Sequence, residues 1–344
     1  MSGPRVVIVG ATGAVGGVAL TVLEERGFPM ERLRLTASER SVGKRLRFAG
    51  GEVEVEATTP EVFAESDIAF ISANDDVSRE MAAVARDHGC VVIDDSGVWR
   101  MDPDVPLVVP EVNAADVERH RGILAIPNCS TTPLAMILDA LRRGSRPLRV
   151  IADTYQSVSG TGAGAMAELD RQSRDVLAGG EAVAEQYPHP IAFNLLPHIG
   201  SFREGGHTSE EVKMLNETRK ILHAPELPVS ATCVRVPVQI CHSEAVHIEF
   251  ESPLSPSEAR ELLGGYPGVV VVDDPSANAY PMPLDAAGRD GVFVGRIRED
   301  AALPNGLALW LVSDNLRKGA ATNAVQIAEE VVRRGAWLRQ PAQP

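Results

Sequence analysis

The sequence predicts two domains of different α/β character: first a doubly wound parallel sheet, then an α+β domain whose sheet is mostly antiparallel. Three observations predict this. A short apolar strand near the N-terminus runs into a glycine-rich turn and then a helix with an apolar face. Strand-like and helix-like runs keep alternating to about residue 128, which is the pattern of parallel strands joined by crossover helices. Beyond residue 150 strand-like runs dominate, with few helices between them. At 344 residues the chain is long enough for two cores.

Arg5 to Val9 reads as a buried strand, and Val18, Val22 and Leu23 mark the helix that ends near Gly27. Between them lies Gly10-Ala11-Thr12-Gly13-Ala14-Val15-Gly16. Glycines here let the backbone approach a pyrophosphate, and the helix N-terminus attracts its charge. This is the opening of a Rossmann-like dinucleotide-binding fold, in a GxxGxxG form; a tight turn without ligand is the competing reading. A second strand, about Leu33 to Ala37, ends in Ser38-Glu39-Arg40-Ser41-Val42-Gly43-Lys44. Arg40 can grip a 2′-phosphate with Ser38 and Ser41 as neutral donors, which favours NADP. Glu39 is the rival, an acid for the ribose of NAD, and a solvated loop is the third reading.

Further strands are expected at Asp67–Ser72, Cys90–Asp94 and Leu107–Val109, with a helix over Ser78–His88. Arg100 follows the strand ending at Asp94, at the edge where ligands of open α/β sheets bind. Ile123 to Ile126 reads as a short strand that stops at Pro127; Leu134, Ile137, Leu138 and Leu141 then recur at helical spacing. Later strands are expected at Val150–Tyr155, Val229–Val238, Ser243–Phe250, Val269–Val272, Val292–Arg298 and Leu307–Val312. Residues 178–207 read as an irregular excursion. Helices are expected from a Thr208 cap to about Leu222, with Glu211 completing a capping box, and over Pro256–Leu263. A closing helix, Gly319 to Arg333, should pack back on the first domain. That places the domains at 1–128 with 317–344, and at 129–316.

A net charge of −14 argues against general affinity for nucleic acid or anionic membranes, while leaving room for a local basic pocket. The four cysteines show no CxxC spacing and no zinc pattern. No apolar run is long enough for a bilayer and no signal peptide is seen, so a cytoplasmic location is expected.

Cys129 falls in the strand-to-helix turn Pro127-Asn128-Cys129-Ser130, near the positive end of a helix. A free thiol has a pKa of about 8.5, and lowering it by two units needs about 2.7 kcal/mol. A helix terminus gives roughly 0.3–1 kcal/mol, so a second group must help if Cys129 is a nucleophile and not a core cysteine. His242 shares strand parity with the interior-facing Val246 and Ile248. It is either a satisfied core histidine or the proton acceptor; an imidazolium about 4 Å from a thiolate is worth roughly 4 kcal/mol at an effective dielectric of 20. Arg235, on what is expected to be the neighbouring strand, suits an acid within the fold or a substrate carboxylate. Glu210 and Lys213 share a helix face, as a surface ion pair or as partners for an ammonium and an anion.

With these residues assembled, the chain resembles the aspartate-semialdehyde dehydrogenase family nearly end to end. The resemblance is carried by GATGAVG (10–16), PNCST (127–131), YQSVSGTG (155–162), SEEVKM (209–214), RVPV (235–238), HSEAV (242–246), VGRIRED (294–300) and SDNLRKGAATNAVQIAE (313–329). It implies an NADP-dependent enzyme that reduces aspartyl phosphate to aspartate semialdehyde and phosphate through a cysteine thioester, in bacterial biosynthesis of lysine, methionine, threonine and diaminopimelate. Cys129 would be the nucleophile, His242 the acid/base, and Gln156 a positioning group. Arg235 and Glu210 would hold the aspartyl carboxylate and ammonium, and Arg100, Asn128 and Lys213 the phosphate. Gly10, Thr12, Gly13, Ala14, Val15, Ser38, Arg40, Ser41, Ser159, Gly160 and Asn315 would contact NADP. The family implies a homodimer or a dimer of dimers.

Three departures stand out: Asp95 where the family usually has Asn, Gly97-Val98-Trp99 for a more usual Ser-Ala-Phe, and Cys241 where glycine is common. They leave open a paralogue with shifted substrate preference. Another acyl-phosphate reductase, of the N-acetyl-glutamyl-phosphate type, and a non-enzymatic homologue are the competing readings.

Overall fold

The computed structural model describes residues 3–337. The chain forms two compact units, residues 1–127 with 320–344 and residues 128–319.

In the first unit the elements are β1 (Arg5–Val9), α1 (Ala14–Glu25), β2 (Arg32–Ala37), β3 (Arg45–Phe48), β4 (Gly51–Ala57), α2 (Glu61–Ala64), β5 (Ile68–Ile71), α3 (Asp75–Asp87), β6 (Val91–Asp94), α4 (Pro110–Asn113) and β7 (Ile123–Ala125). The strands make one seven-stranded sheet in the order β3-β4-β2-β1-β5-β6-β7. Every pairing is parallel except the β3–β4 hairpin. β5 and β6 are buried throughout, as strands covered on both faces must be. The order turns at β1 and β5, so their carboxyl ends flank the crevice where such sheets take ligands. The helix Thr322–Arg333 returns to this unit and buries Ala324, Val325, Ala328 and Val331 with Ile8 and Leu23. It is entered through a wider, π-helical turn at Arg317–Ala321, so the regular helix starts later than the sequence predicts.

Three details differ from the sequence expectation here. Leu107–Val109 is no strand, only an isolated bridge from Leu107 to Ala125. The β3–β4 hairpin is an addition to the expected strands, although Leu46 and Phe48 alternate with Arg45 and Arg47 along β3. Helix α3 also begins one turn early, because Asn74 caps it through Val77 N–H (3.0 Å).

The second unit holds α5 (Thr131–Leu141), β8 (Pro147–Gln156), α6 (Ala163–Leu177), α7 (Ser209–Ile221), β9 (Val229–Arg235), β10 (His242–Phe250), α8 (Pro256–Gly264), β11 (Val269–Val271), α9 (Pro283–Ala286), β12 (Val292–Glu299) and β13 (Gly306–Ser313). Its six-stranded sheet has the order β11-β12-β13-β10-β8-β9. The pairs β12–β13, β13–β10 and β10–β8 are antiparallel; β11–β12 and β8–β9 are parallel. Along β10, His242, Glu244, Val246, Ile248 and Phe250 are buried, while Ala245, His247 and Glu249 are half-buried on the opposite face. Every residue of α5 is buried.

β9 stops at Arg235 rather than Val238, just before Pro237, which has no N–H for a ladder. The sheet order also places β8 between β9 and β10, so Arg235 is not on the strand next to His242. Helix α6 was not anticipated. Its buried positions include Glu168 and Gln172, whose side chains accept backbone N–H groups of Glu185, Gln186, Ile191 and Ala192, so its inward stripe is partly polar. Those bonds pin the excursion after it, which is irregular as expected apart from a short turn at Glu204–Gly206. The capping box of α7 forms as read: Thr208 N–H donates to Glu211 (2.7 Å) and Glu211 N–H to Thr208 Oγ1 (3.4 Å).

Candidate active site

Strand register builds the centre of the site. Gln156 on β8 pairs with Arg235 on β9, and His242 on β10 pairs with Ser313 on β13. Glu244 lies opposite Thr154, so His242 falls level with Gln156. Arg235, Gln156, His242 and Ser313 therefore form one row across four strands, all of them buried. The next row holds Cys233, Thr154, Glu244 and Leu311.

Glu210, in the first turn of α7, ties this row to the turn that carries Cys129. Its Oε1 accepts from Asn128 Nδ2 (2.7 Å) and Gln156 Nε2 (3.3 Å), and its Oε2 from Lys213 Nζ (3.2 Å). Burial would push this carboxyl up, but the Lys213 ammonium and the Asn128 and Gln156 donors hold it below the usual glutamate value. Glu210 is thus a buried carboxylate hub, and Lys213 is the half-exposed partner. The Asn128 backbone N–H donates to Glu217 (2.6 Å), and Asn128 Oδ1 accepts Ser130 N–H (2.9 Å). Cys129, two residues before α5 and partly exposed, is thereby held on its N-terminal side by α7. A Cβ on Gly319 would lie 2.9 Å from the Cβ of Cys129, so only glycine fits beside it.

His242 is fully buried. Its Nδ1 accepts the Ser157 backbone N–H (3.0 Å) and lies 3.1 Å from Ser157 Oγ. Burial, and then the Arg235 charge, push the imidazole down to about 3. This corrects the sequence expectation: the resting ring is neutral, so no imidazolium is present to pair with a thiolate. With Nδ1 accepting, the neutral ring carries its proton on Nε2. Gly160 sits against this group, since a Cβ there would meet Arg235 Nη1 at 3.1 Å and His242 Nε2 at 3.2 Å. Arg235 Nη1 donates to Ser157 O (2.7 Å).

Asn315 is placed as an internal knot. Its Oδ1 accepts from Ser157 Oγ (3.1 Å), Ser159 Oγ (3.0 Å) and Cys241 N–H (3.0 Å). Burial raises the Cys233 and Cys241 thiols, so neither competes as a thiolate. Ser157, Ser313, Glu217 and Glu244 were not picked out from the sequence; strand parity from His242 would have pointed to Glu244.

In the first unit, Gly10 has φ +84, and a Cβ on it would lie 2.0 Å from Ser72 O. The turn from Gly10 through Thr12, Gly13, Ala14 and Val15 opens α1, whose N-terminus has no side-chain cap and no acidic residue in its first turn. That leaves its backbone N–H groups to a pyrophosphate, so the residues present fit a dinucleotide. Ser41 is buried and accepts from Thr12 Oγ1 (3.2 Å); Ser38 and Arg40 are exposed beside it. Arg100 Nη2 donates to Asp95 O (2.9 Å). The Asp95 carboxyl is pushed up to about 6 by burial, against the pull of Arg100. Among the described residues no group of His, Cys, Asp and Glu could hold a metal, and no helix is long and apolar enough to cross a membrane.

Comparison with known proteins agrees with this architecture. The family described as semialdehyde dehydrogenase, NAD binding domain, matches residues 5–120, and semialdehyde dehydrogenase, dimerisation domain, matches residues 138–318. Aspartate-semialdehyde dehydrogenase of Aquifex aeolicus is 54% identical over 97% of this chain and 99% of that protein. The enzyme of that name from Bacillus subtilis is 48% identical over 96% and 97%. The crystal structure of aspartate semialdehyde dehydrogenase II complexed with ASA from Vibrio cholerae superposes with a TM-score of 0.94 at 42% identity, covering 97% of this chain and 99% of that one. The aspartate semialdehyde dehydrogenase with NADP from Candida albicans gives 0.77 at 26% identity, covering 97% and 99%. The chain belongs to the aspartate-semialdehyde dehydrogenase family.

Proposed function

We propose that the protein catalyses the reversible, NADPH-dependent reduction of L-4-aspartyl phosphate to L-aspartate 4-semialdehyde and phosphate. The observation that carries this reading is the buried Arg235–Gln156–His242 row, joined through the Glu210 hub to the Cys129 turn. Arg235 clamps the substrate carboxylate, and the ionised Glu210 receives its ammonium. Lys213, Arg100 and the remaining N–H of the Asn128 carboxamide meet the phosphate. Cys129 attacks the acyl carbon as thiolate and expels phosphate, which takes up the thiol proton, leaving a thioester on sulfur. Gly10 to Val15, Ser38, Arg40, Ser41, Ser159, Gly160 and the Asn315 amide would hold NADPH, which would supply the hydride when bound.

His242 donates from Nε2 to the carbonyl oxygen as charge develops there. After hydride adds to the thioester carbon, the oxyanion held by Nε2–H collapses to the aldehyde as the C–S bond breaks; the sulfur leaves as a thiolate that takes one proton from solvent, and His242 ends neutral with its proton still on Nε2. The preference for NADP over NAD rests on Arg40 and its serine neighbours. The dimerisation-domain match supports a homodimer or a dimer of dimers. The resemblance supports a place in lysine, methionine, threonine and diaminopimelate synthesis in the cytoplasm.

The test is an assay of purified protein with aspartate semialdehyde, phosphate and NADP. NADPH formation that requires phosphate and is lost in Cys129→Ala is expected. Turnover of an N-acylated semialdehyde in preference to the free amine would overturn the substrate assignment and favour the acetylated-glutamyl relative.

A further inference from the structure

The loop after β2 carries a cation to which the reaction above gives no task. Its backbone is closed tightly: Ser41 N–H donates to Ser38 O (2.8 Å), Lys44 N–H to Ser41 O (3.2 Å), and Val55 N–H, from β4, to Lys44 O (2.8 Å). Gly43, at φ +82, turns the chain just before Lys44. The backbone of Lys44 is thereby fixed, and its side chain, although exposed, returns over the loop, where Nζ donates to Ser41 Oγ (3.5 Å).

Ser41 Oγ thus accepts twice, from Lys44 and from Thr12 of the glycine turn (3.2 Å). A hydroxyl oxygen has two lone pairs and one proton, so with both lone pairs engaged Ser41 is left as a donor. The Lys44 ammonium keeps two further N–H groups of its own. Charge points the same way. Among the described residues neither Arg40 nor Lys44 has a carboxylate partner, whereas Arg5, Arg32, Arg34 and Arg45, on the strands around them, each have one. In a chain of net charge −14, two uncompensated cations beside a hydroxyl that must donate make a local anion site. A phosphate monoester carries about −1.5 to −2 charges at pH 7, more than Arg40 alone neutralises.

We propose that Lys44 is a specificity-determining residue for the cofactor: its ammonium meets the 2′-phosphate of NADP together with Arg40, and its bond to Ser41 leaves that hydroxyl free to donate to the same phosphate. Arg40 offers a planar fork and Lys44 a compact point charge, so neither replaces the other. NAD has no phosphate at this position, so Lys44 contributes nothing to its binding. The inference deepens the NADP reading above and rests on it.

The experiment measures binding of 2′,5′-ADP and of 5′-AMP to the full chain by calorimetry, and KM for NADP and NAD, in wild type, Lys44→Met, Lys44→Gln and Arg40→Ala. Both neutral Lys44 variants are expected to bind 2′,5′-ADP about tenfold more weakly and 5′-AMP within about twofold of wild type. KM for NADP should rise by a similar factor, with kcat changed less than about twofold. Unchanged 5′-AMP binding shows that the loop is still folded, and the second neutral variant serves if the first is not. Wild-type affinity for 2′,5′-ADP in a folded Lys44 variant, or an equal loss for both nucleotides, would overturn the proposal, the second result marking a merely structural lysine. A wild type that binds 2′,5′-ADP no better than 5′-AMP would instead sink the NADP reading. Loss in Arg40→Ala with none in Lys44→Met would keep that reading and remove Lys44 from it.

Discussion

Glu210 accepts the Nδ2–H of Asn128 at 2.7 Å, so the residue before Cys129 is tied to the first turn of α7. The same carboxylate takes Gln156 from β8 and Lys213 from its own helix. One side chain thus sets the spacing between the sulfur-bearing turn and the sheet.

Replacing Glu210 with Gln tests that hub. An amide cannot accept on both atoms, so at least one of the Asn128, Gln156 and Lys213 bonds breaks, and the charge for an ammonium is lost. Steady-state kinetics should show kcat/KM for aspartate semialdehyde falling by about a hundredfold, near 3 kcal/mol. A change under about threefold would mean the ammonium binds elsewhere.

His242 predicts a pH signature in stability. Its folded value, about 3, lies below the ordinary 6.5, so the unfolded chain binds the proton first as pH falls. Stability is therefore lost between about 6.5 and 3, by roughly 2 kcal/mol at pH 5. Denaturant titrations of His242→Gln should show a flatter acid limb than wild type, alongside a kcat lowered about a hundredfold or more. Parallel acid limbs would mean the ring is not held neutral.

Asp95 has the opposite sign. Its folded value of about 6 exceeds the ordinary 3.8, so the native state holds the proton longer and stability falls as pH rises from about 4 to 6. Asp95→Asn should stabilise the protein above pH 6, by up to about 3 kcal/mol, and have little effect at pH 4. Melting temperatures of both proteins across that range decide it; equal shifts at both ends would contradict the assignment.

Cys241 has φ +78 while its side chain is buried with Ala286, Phe293 and Val312. Alanine loses the sulfur and keeps the backbone strain, whereas glycine relieves the strain. We expect Cys241→Gly to be more stable than Cys241→Ala by about 1 kcal/mol in chemical denaturation, the reverse of the usual order. The usual order would show that the left-handed backbone carries no penalty here.

Arg40 carries the cofactor preference. Arg40→Ala should raise KM for NADP about tenfold or more and leave KM for NAD nearly unchanged. Equal losses with both would place the 2′-phosphate elsewhere.

The parallel sheet and its first glycine turn were legible because buried strands, tight turns and crossover helices each leave a local periodic signal. The capping box at Thr208 was legible for the same reason. Helix α6 was not, because its inward-facing Glu168 and Gln172 bind the backbone of a loop that follows, a long-range role that apolar periodicity does not record. The parity of His242 correctly put it inside, yet its charge state depends on total burial and on Arg235, which only the folded sheet brings near. The strand expected at Val150–Tyr155 is present, but its place between Arg235 and His242 is not legible, since consecutive strands are neighbours in a sheet only about two-thirds of the time.

The alignment of Arg235, Gln156, His242 and Ser313 makes the site a matter of counting residues. Side chains alternate faces, so a single inserted or deleted residue within β8 or β10 would turn its member of the set outward. Substitution can degrade such a centre by degrees. A one-residue slip in β10 abolishes it outright, because it carries Val246, Ile248 and Phe250 out of the core together with His242.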